Sequence, residues 1–176
     1  MSRSELERYP TMDALSPAAT SLEDLKETIA ALRAGGKTVV WTNGCFDIIH
    51  AGHVTYLMQA KREGDILVVG LNSDKSVQAV KGPDRPIVPE AERALILSAF
   101  ACVDYVTLFA EDDVTQILQE LKPDVYAKGG DYTLETINQD ERRLVEGYGG
   151  RIALIPGVQD RSTTNLVERL AKEYGE

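Results

Sequence analysis

Five short runs of apolar and β-branched residues recur along the chain, separated by segments in which apolar residues have helical spacing. The five runs are nearly continuous in hydrophobicity rather than alternating. That pattern is typical of strands whose two faces are both covered, as in a parallel sheet. We therefore predict strands over residues 38–42, 66–71, 103–109, 124–127 and 151–155.

Helices are predicted before the first strand and after each of the five strands. The first, over residues 21–34, begins at Ser21 and Asp24, which resemble a capping box, and ends at Gly35. The others cover residues 54–62, 90–101, 112–121, 136–148 and 164–174. Alternating strands and helices predict an α/β fold, a Rossmann-like five-stranded parallel sheet in the order 3-2-1-4-5 with helices on both faces.

Two segments lack a regular pattern. Residues 72–88 contain Gly82, Pro83 and Pro86 and are predicted to form a long loop. Residues 1–20 are polar and are predicted to form a flexible arm, which leaves one domain over residues 21–176.

Composition excludes several classes of protein. The 176 residues carry a net charge of −9, which argues against a nucleic-acid binder with a broad basic face. No apolar run approaches the roughly 18 residues of a membrane helix, and the first residues contain no signal-peptide-like apolar stretch. Cys45 and Cys102 form no CxxC motif, so neither a disulfide framework nor a zinc knuckle is indicated. We expect a soluble, cytoplasmic protein.

Candidate chemistry follows the predicted strands, at the edge of the sheet where ligands of such folds bind. In the predicted order the first and fourth strands are neighbours, so the segments that follow them should meet. Polar, basic and glycine residues follow the strands at 43–53, at 72–85 (with Lys81 and Arg85), at 128–132 and at 160–165.

His50 and His53 are the chain's only histidines and stand at the start of a predicted helix. Their spacing lets both imidazoles face one point, and Gly52 between them allows a ligand to approach the backbone. A helix N-terminus with two imidazoles favours a phosphate site. Two alternatives remain: ordinary polar residues at a helix start, or a zinc site with Asp47 or Cys45. Catalytic zinc requires three protein ligands, and the chain has no third histidine.

These residues carry a family resemblance. Gly44-x-Phe46-Asp47-x-x-His50-x-Gly52-His53 resembles the HxGH signature of the cytidylyltransferase-like nucleotidyltransferases, and Ser162-Thr163-Thr164 resembles their second signature. One branch is especially similar, the adenylyltransferase of ADP-heptose synthesis, which occurs as a freestanding enzyme or as the C-terminal domain of a bifunctional kinase/adenylyltransferase. The segments that match this branch are 42–47, 72–74, 81–82 with 85–86, 128–132 and 161–164.

The resemblance implies transfer of AMP from ATP to D-glycero-D-manno-heptose 1-phosphate, with release of pyrophosphate. The ADP-heptose formed would feed synthesis of the lipopolysaccharide core, and another protein would phosphorylate the heptose. Mg²⁺ is expected to arrive with ATP and to have no site made of protein ligands alone. The resemblance also implies a homodimer.

Site residues are assigned by the same resemblance. The expected catalytic residues are His50, His53 and Lys81. The expected nucleotide-binding residues are Asn43, Gly44, Cys45, Phe46, His50, Gly52, His53, Lys128, Gly129, Asp131, Ser162 and Thr163. The expected substrate-binding residues are Asp47, Asp74, Arg85, Arg93 and Arg161.

Several of these assignments have structural alternatives. Lys81 and Arg85 could be solvated loop charges rather than groups that close over phosphates, and Arg93 could be a surface charge. Ser162 and Thr163 could act only as helix caps, and Cys45 only as a small packing residue. Asp47 and Asp74 could orient loops instead of holding sugar hydroxyls.

Two other functions are compatible with the same motifs. One is a cytidylyltransferase acting on glycerol 3-phosphate or on an ethanolamine or choline phosphate. The other is a non-catalytic nucleotide-binding protein that kept the fold.

Overall fold

The structure is a computed structural model that describes residues 20–110, 114–130, 132–157 and 163–174. Five parallel strands form one sheet in the order β3-β2-β1-β4-β5, which confirms the predicted topology. The strands are β1 (Val39–Gly44), β2 (Ile66–Asn72), β3 (Tyr105–Phe109), β4 (Val125–Gly130) and β5 (Arg151–Pro156). The helices are α1 (Leu22–Ala34), α2 (Ala51–Lys61), α3 (Asp74–Lys81), α4 (Glu90–Ser98), α5 (Thr115–Leu121), α6 (Gln139–Gly147) and α7 (Thr163–Tyr174).

Two hydrophobic cores lie on opposite faces of the sheet, as expected for strands covered on both sides. Val40 of β1 belongs to the core under α2 and α4, together with Leu57 and Leu97. Its neighbour Trp41 belongs to the other core, under α1, α5 and α6. Successive side chains of a strand point to opposite faces, so one apolar run supplies both cores.

Helix α1 begins and ends where the sequence predicts. The Ser21 hydroxyl accepts a hydrogen bond from the Asp24 backbone N–H at 3.1 Å, which satisfies one of the free donors of the first turn. Leu25 and Ile29, one helical turn apart, are buried against the sheet. The capping residue and the apolar spacing together account for the helix.

The predicted loop over residues 72–88 is wrong in its first half, because residues 74–81 form helix α3. Ser73 caps this helix by accepting from the Ser76 N–H at 3.2 Å, and Gly82 ends it with φ of +97°. Ser76 and Val77 are its buried residues. A buried stripe of only two residues is hard to recognise beside a segment rich in glycine and proline. Lys81 therefore stands in the last turn of a helix and not on a loop.

Other boundaries differ from the prediction by a few residues. Helix α2 begins at Ala51 rather than at residue 54, because His50 provides its cap. Helix α6 begins at Gln139 rather than at 136, because Asn138 caps it. Thr20 donates its N–H to the Val106 carbonyl at 3.0 Å, whereas the rest of the predicted arm lies outside the described residues. Across the described ranges, no helix is both long and apolar enough to cross a bilayer.

Candidate functional site

The strand order places the carboxyl ends of β1 and β4 side by side at the point where the order of strands reverses. Trp41 of β1 pairs with Tyr126 of β4, so the strand ends Asn43 and Lys128 lie at one level. The Lys128 ammonium is 3.4 Å from the Asn43 side-chain oxygen. The predicted meeting of these two segments is confirmed.

His50 is the N-cap of helix α2. Its Nδ1 accepts a hydrogen bond from the Gly52 N–H at 3.1 Å, so Nδ1 carries no proton in this arrangement. The proton of the neutral ring is therefore on Nε2, which can donate to a ligand. The histidine both caps the helix and presents a donor next to the free N–H groups of the first turn.

His53 stacks on His50, with ring centroids 3.9 Å apart, and its other neighbour is the Phe46 ring at 5.4 Å. Burial, together with the charges of His50 and Lys81, lowers the pKa of His53 to about 4. His53 is therefore neutral at pH 7. Its buried Nδ1 has no hydrogen-bond partner within the described part of the chain. The neutral His53 ring and the neighbouring His50 ring, at one helix N-terminus, can both donate to phosphoryl oxygens.

Phe46 occupies a strained backbone conformation that shapes this loop. Its φ is +44°, in the left-handed region that costs a residue with a side chain about 1–3 kcal/mol. A Cβ on Gly44 would lie 3.0 Å from the Phe46 ring, so glycine allows the ring to fold back against the strand end. Burial raises the pKa of the half-buried Cys45 thiol between them, which disfavours a thiolate nucleophile.

Asp47 holds the segment that follows α3. Its Oδ1 accepts from the Ile87 and Val88 N–H groups at 2.8 and 2.9 Å, and its Oδ2 lies 2.5 Å from the Arg85 guanidinium. Asp47 is buried and Arg85 is 19% exposed at its side chain. The interpretation of Arg85 as a solvated loop charge is therefore wrong.

Arg93 is fully buried, so the interpretation of Arg93 as a surface charge is also wrong. Its guanidinium donates to the carbonyls of Val88, Cys45 and Asn72 and to the Asp74 carboxylate at 2.7 Å. These bonds join the ends of β1 and β2 to the segment before α4. Arg93 and Asp74 thus hold together the loops around the strand ends.

The end of β4 is shaped by Tyr56 of helix α2. A Cβ on Gly129 would lie 2.4 Å from the Tyr56 ring, so only glycine lets the strand lie flat on that ring. The Tyr56 hydroxyl donates to the Ala127 carbonyl at 3.0 Å and lies 2.5 Å from the Thr42 hydroxyl. Burial raises the pKa of Tyr56 to about 12, so the phenol stays protonated. Gly129 and Tyr56 fix helix α2, and with it His50, against the sheet.

Sequence reasoning missed the partners of Lys128. The Tyr126 hydroxyl lies 2.9 Å from both the Asn43 Oδ1 and the Glu141 Oε2, and Glu141 lies 3.5 Å from the Lys128 ammonium. Glu141 stands one helical turn before the buried Val145 in α6. A carboxylate on the apolar face of a helix is the signal that could have identified it.

The structure describes some, but not all, of the remaining predicted site residues. Lys81 is exposed at the end of α3, and its charge acts on Cys45 and His53. Thr163 at the start of α7 donates to the Ile48 carbonyl at 3.4 Å, which brings that helix to the His50 loop. Asp131, Arg161 and Ser162 lie outside the described residues. Across the described ranges, no group of three or more His, Cys, Asp or Glu residues is arranged to hold a metal ion.

Alignments with curated relatives cover most of the chain. It is 53% identical over 152 residues to the bifunctional protein HldE of Syntrophotalea carbinolica and 51% identical over 156 residues to that of Geobacter sulfurreducens. These alignments cover 86% and 89% of this chain but 31% of each relative. The chain thus spans about a third of the length of these curated relatives.

Solved structures show the same architecture. The lipopolysaccharide core biosynthesis protein of Thermoplasma volcanium superimposes with a TM-score of 0.58 at 30% identity, covering 72% of this chain and all of that one. Pantoate-beta-alanine ligase of Francisella tularensis shares the fold, with a TM-score of 0.51 at 14% identity. The superposition covers 79% of this chain and 67% of the ligase chain. The pattern of the cytidylyltransferase-like family matches residues 41–169, which include both histidines and the last strand. The chain belongs to the cytidylyltransferase-like family of nucleotidyltransferases.

Proposed function

We propose that this protein transfers AMP from ATP to D-glycero-D-manno-heptose 1-phosphate, forming ADP-heptose and pyrophosphate. The observation that carries the proposal is the stacked pair His50 and His53 at the N-terminus of α2, beside the joined ends of β1 and β4. The match of the segments around these strand ends to the ADP-heptose branch, and the similarity to HldE proteins, support the choice of substrates.

The sugar phosphate needs no activated side chain, because its oxygen is already anionic at pH 7. That oxygen forms a bond to the α-phosphorus of ATP, and the bond from the α-phosphorus to the bridging oxygen breaks, so that pyrophosphate leaves. The difficulty is electrostatic, since two anions approach each other. His50, through Nε2–H, and His53 donate to the oxygens on which charge grows, next to the N–H groups of α2.

The other site residues bind and position the substrates. Asn43, Lys128 and Gly129 contact the nucleotide or the sugar phosphate at the ends of β1 and β4. Lys81 approaches the phosphates from the end of α3, and Thr163 does so from the start of α7. Ser162 is included in the same role by the family resemblance. The proposal also includes Asp131 and Arg161 in the binding site, a homodimer, and a place in the cytoplasm.

Mg²⁺ enters this scheme with the triphosphate. The proposal assigns the ion no protein ligands of its own, because Mg²⁺ bound to a nucleotide is held mainly by phosphate oxygens and water. Bound there, the ion would neutralise charge on the pyrophosphate as it leaves.

Pyrophosphate release by the purified protein tests the proposal. ATP and CTP are each combined with heptose 1-phosphate and with glycerol 3-phosphate, with Mg²⁺ present. We expect turnover with ATP and heptose 1-phosphate, and at least roughly a hundredfold lower kcat/KM for the other pairs. Turnover with CTP and glycerol 3-phosphate alone would overturn the choice of substrates, and no turnover with any pair would favour a non-catalytic nucleotide-binding protein.

A further inference from the structure

Four side chains from β1, β4 and α6 form a closed polar group beside the predicted phosphate site. We call Asn43, Tyr126, Lys128 and Glu141 the Lys128 cluster. The Lys128 ammonium lies 3.4 Å from Asn43 Oδ1 and 3.5 Å from Glu141 Oε2. The Tyr126 hydroxyl lies 2.9 Å from each of these two oxygens.

The donors of this cluster determine how the Asn43 amide is turned. A lysine ammonium only donates hydrogen bonds, so the Asn43 atom that faces it must be the carbonyl oxygen and not the nitrogen. The Tyr126 hydroxyl lies 2.9 Å from the same oxygen, and its single proton can be donated either to Asn43 Oδ1 or to Glu141 Oε2. The Asn43 –NH₂ group is consequently turned away from the cluster, with two donors available to a ligand at the end of β1.

Glu141 compensates the positive charge of Lys128, which would otherwise be costly to bury. The side chain of Lys128 is 16% exposed and that of Glu141 is 6% exposed, and Tyr126 is fully buried. Burial lowers the pKa of Lys128, whereas the carboxylate of Glu141 raises it. Among the described residues, the other groups that face the ammonium are Asn43 and the rings of Tyr126 and Tyr132, at 4.6 and 5.8 Å. In that part of the chain, Glu141 is the carboxylate that raises the pKa of Lys128.

The contacts of Lys128 are long for hydrogen bonds. Strong N–H···O bonds span about 2.7–3.2 Å, and the two distances here are 3.4 and 3.5 Å. The ammonium is held near its partners without a tight bond to either. The ammonium can therefore turn toward an anionic oxygen of a bound substrate, because the hydrogen bonds that it gives up are weak.

We propose that Glu141 is a positioning residue for substrate binding, which holds the Lys128 ammonium beside β1 and, through Lys128 and Tyr126, turns the Asn43 amide donors toward a substrate phosphate. The inference deepens the proposed function, on which the identity of that phosphate rests. Neither Glu141 nor Tyr126 needs to touch the substrate.

Glu141→Gln tests the role with little change of shape, and Glu146→Gln is its matched control. Glu146 lies on the same helix but pairs with Arg142 at 2.9 Å and is 48% exposed. We expect E141Q to raise the KM for one substrate roughly tenfold, with a smaller effect on kcat, and to move the alkaline limb of kcat/KM to lower pH. E146Q should match the wild type in both. Wild-type kinetics and pH profile in E141Q would overturn the proposal.

Tyr126→Phe provides a second variant should E141Q fail to fold. It removes the hydroxyl that lies between Asn43 Oδ1 and Glu141 Oε2 but leaves the carboxylate, so KM should rise while the alkaline limb stays in place. An unchanged KM for both substrates in Y126F would contradict the positioning of Asn43.

NMR titration of the lysine side chains, without substrate, separates this inference from the proposed function. In the full chain, the Lys128 pKa should be lower in E141Q than in the wild type and unchanged in E146Q. An unchanged Lys128 pKa in E141Q would overturn the inference whatever the substrates are. If heptose 1-phosphate is not turned over, the proposed function fails, and E141Q and E146Q are compared on the pair that the wild type does use.

Discussion

His50 and His53 stack face to face, with ring centroids 3.9 Å apart and an angle of 28° between the planes. Two rings at this distance repel each other when both are protonated, and the charge of His50 lowers the pKa of His53. His53 is therefore neutral at pH 7. The pair stands at the N-cap and in the first turn of α2, the end of a helix that favours an anion.

Variants at His50 should separate its capping role from its proposed catalytic role. His50→Ala removes both the acceptor for the Gly52 N–H and the imidazole donor. We expect a loss of about 1 kcal/mol in the free energy of unfolding and a roughly 10²–10³-fold drop in kcat. His50→Asn keeps a side-chain acceptor, so it should retain most of the stability and still lose kcat. Urea denaturation and pyrophosphate release measure the two effects, and full turnover in H50N would contradict donation by the ring.

Acid should destabilise the protein through His53. Its pKa is about 4 in the folded chain against 6.5 in the unfolded chain, so the unfolded state binds the extra proton between these values. Stability is therefore complete above pH 6.5 and falls as the pH drops toward 4. Because water screens a partly exposed ring, we expect His53 to account for about 1–2 kcal/mol. Unfolding by urea at pH 7 and pH 4.5 measures the loss, which should be smaller in His53→Gln.

The contact between Gly129 and Tyr56 predicts that position 129 does not tolerate a residue with a Cβ. In Gly129→Ala the new Cβ would lie 2.4 Å from the Tyr56 ring, so the ring and helix α2 must shift. We expect about 1–3 kcal/mol of destabilisation and a loss of turnover. Gly147→Ala, where no atom lies within 4 Å of the new Cβ, is the control and should be as stable as the wild type or slightly more so. Equal unfolding temperatures of Gly129→Ala and Gly147→Ala would contradict this prediction, because they would show that β4 accommodates the new Cβ.

Arg93 should be important for stability in a way that exposed arginines are not. Arg93→Met would leave the carbonyls of Cys45 and Asn72 and the Asp74 carboxylate without their donor. We expect a loss of about 3 kcal/mol. Arg143→Met removes an exposed arginine, with 71% of its side chain accessible, from a surface pair with Asp140, and should change stability by less than about 0.5 kcal/mol. Chemical denaturation of both variants checks the difference.

Much of the fold could be predicted because the strands carry a strong local signal. Each of the five apolar runs became a strand, and the alternation of strands and helices led to the observed order of strands. The two histidines could be placed together because their spacing and the start of a helix are both visible in the sequence. Helix α3 escaped prediction because its buried stripe consists of two residues, Ser76 and Val77.

The roles of several charged residues could not be predicted, because their partners are remote in sequence. Arg93 donates to the Cys45 carbonyl, 48 residues away, and Asp47 accepts from amides 40 and 41 residues away. Glu141 reaches Lys128 only because α6 packs across the sheet beside β4. Whether such a charge is solvated or buried depends on which elements meet around it.

Local periodicity and the chemistry of helix starts, both properties of neighbouring residues, were enough to predict an α/β sheet with a pair of adjacent histidines at one edge. The packing of distant segments decided the rest: the neutral state of His53, the burial of Arg93, and the carboxylate beside Lys128. Desolvation and charge pairing depend on three-dimensional neighbours, and for these residues most of those neighbours are far away along the chain.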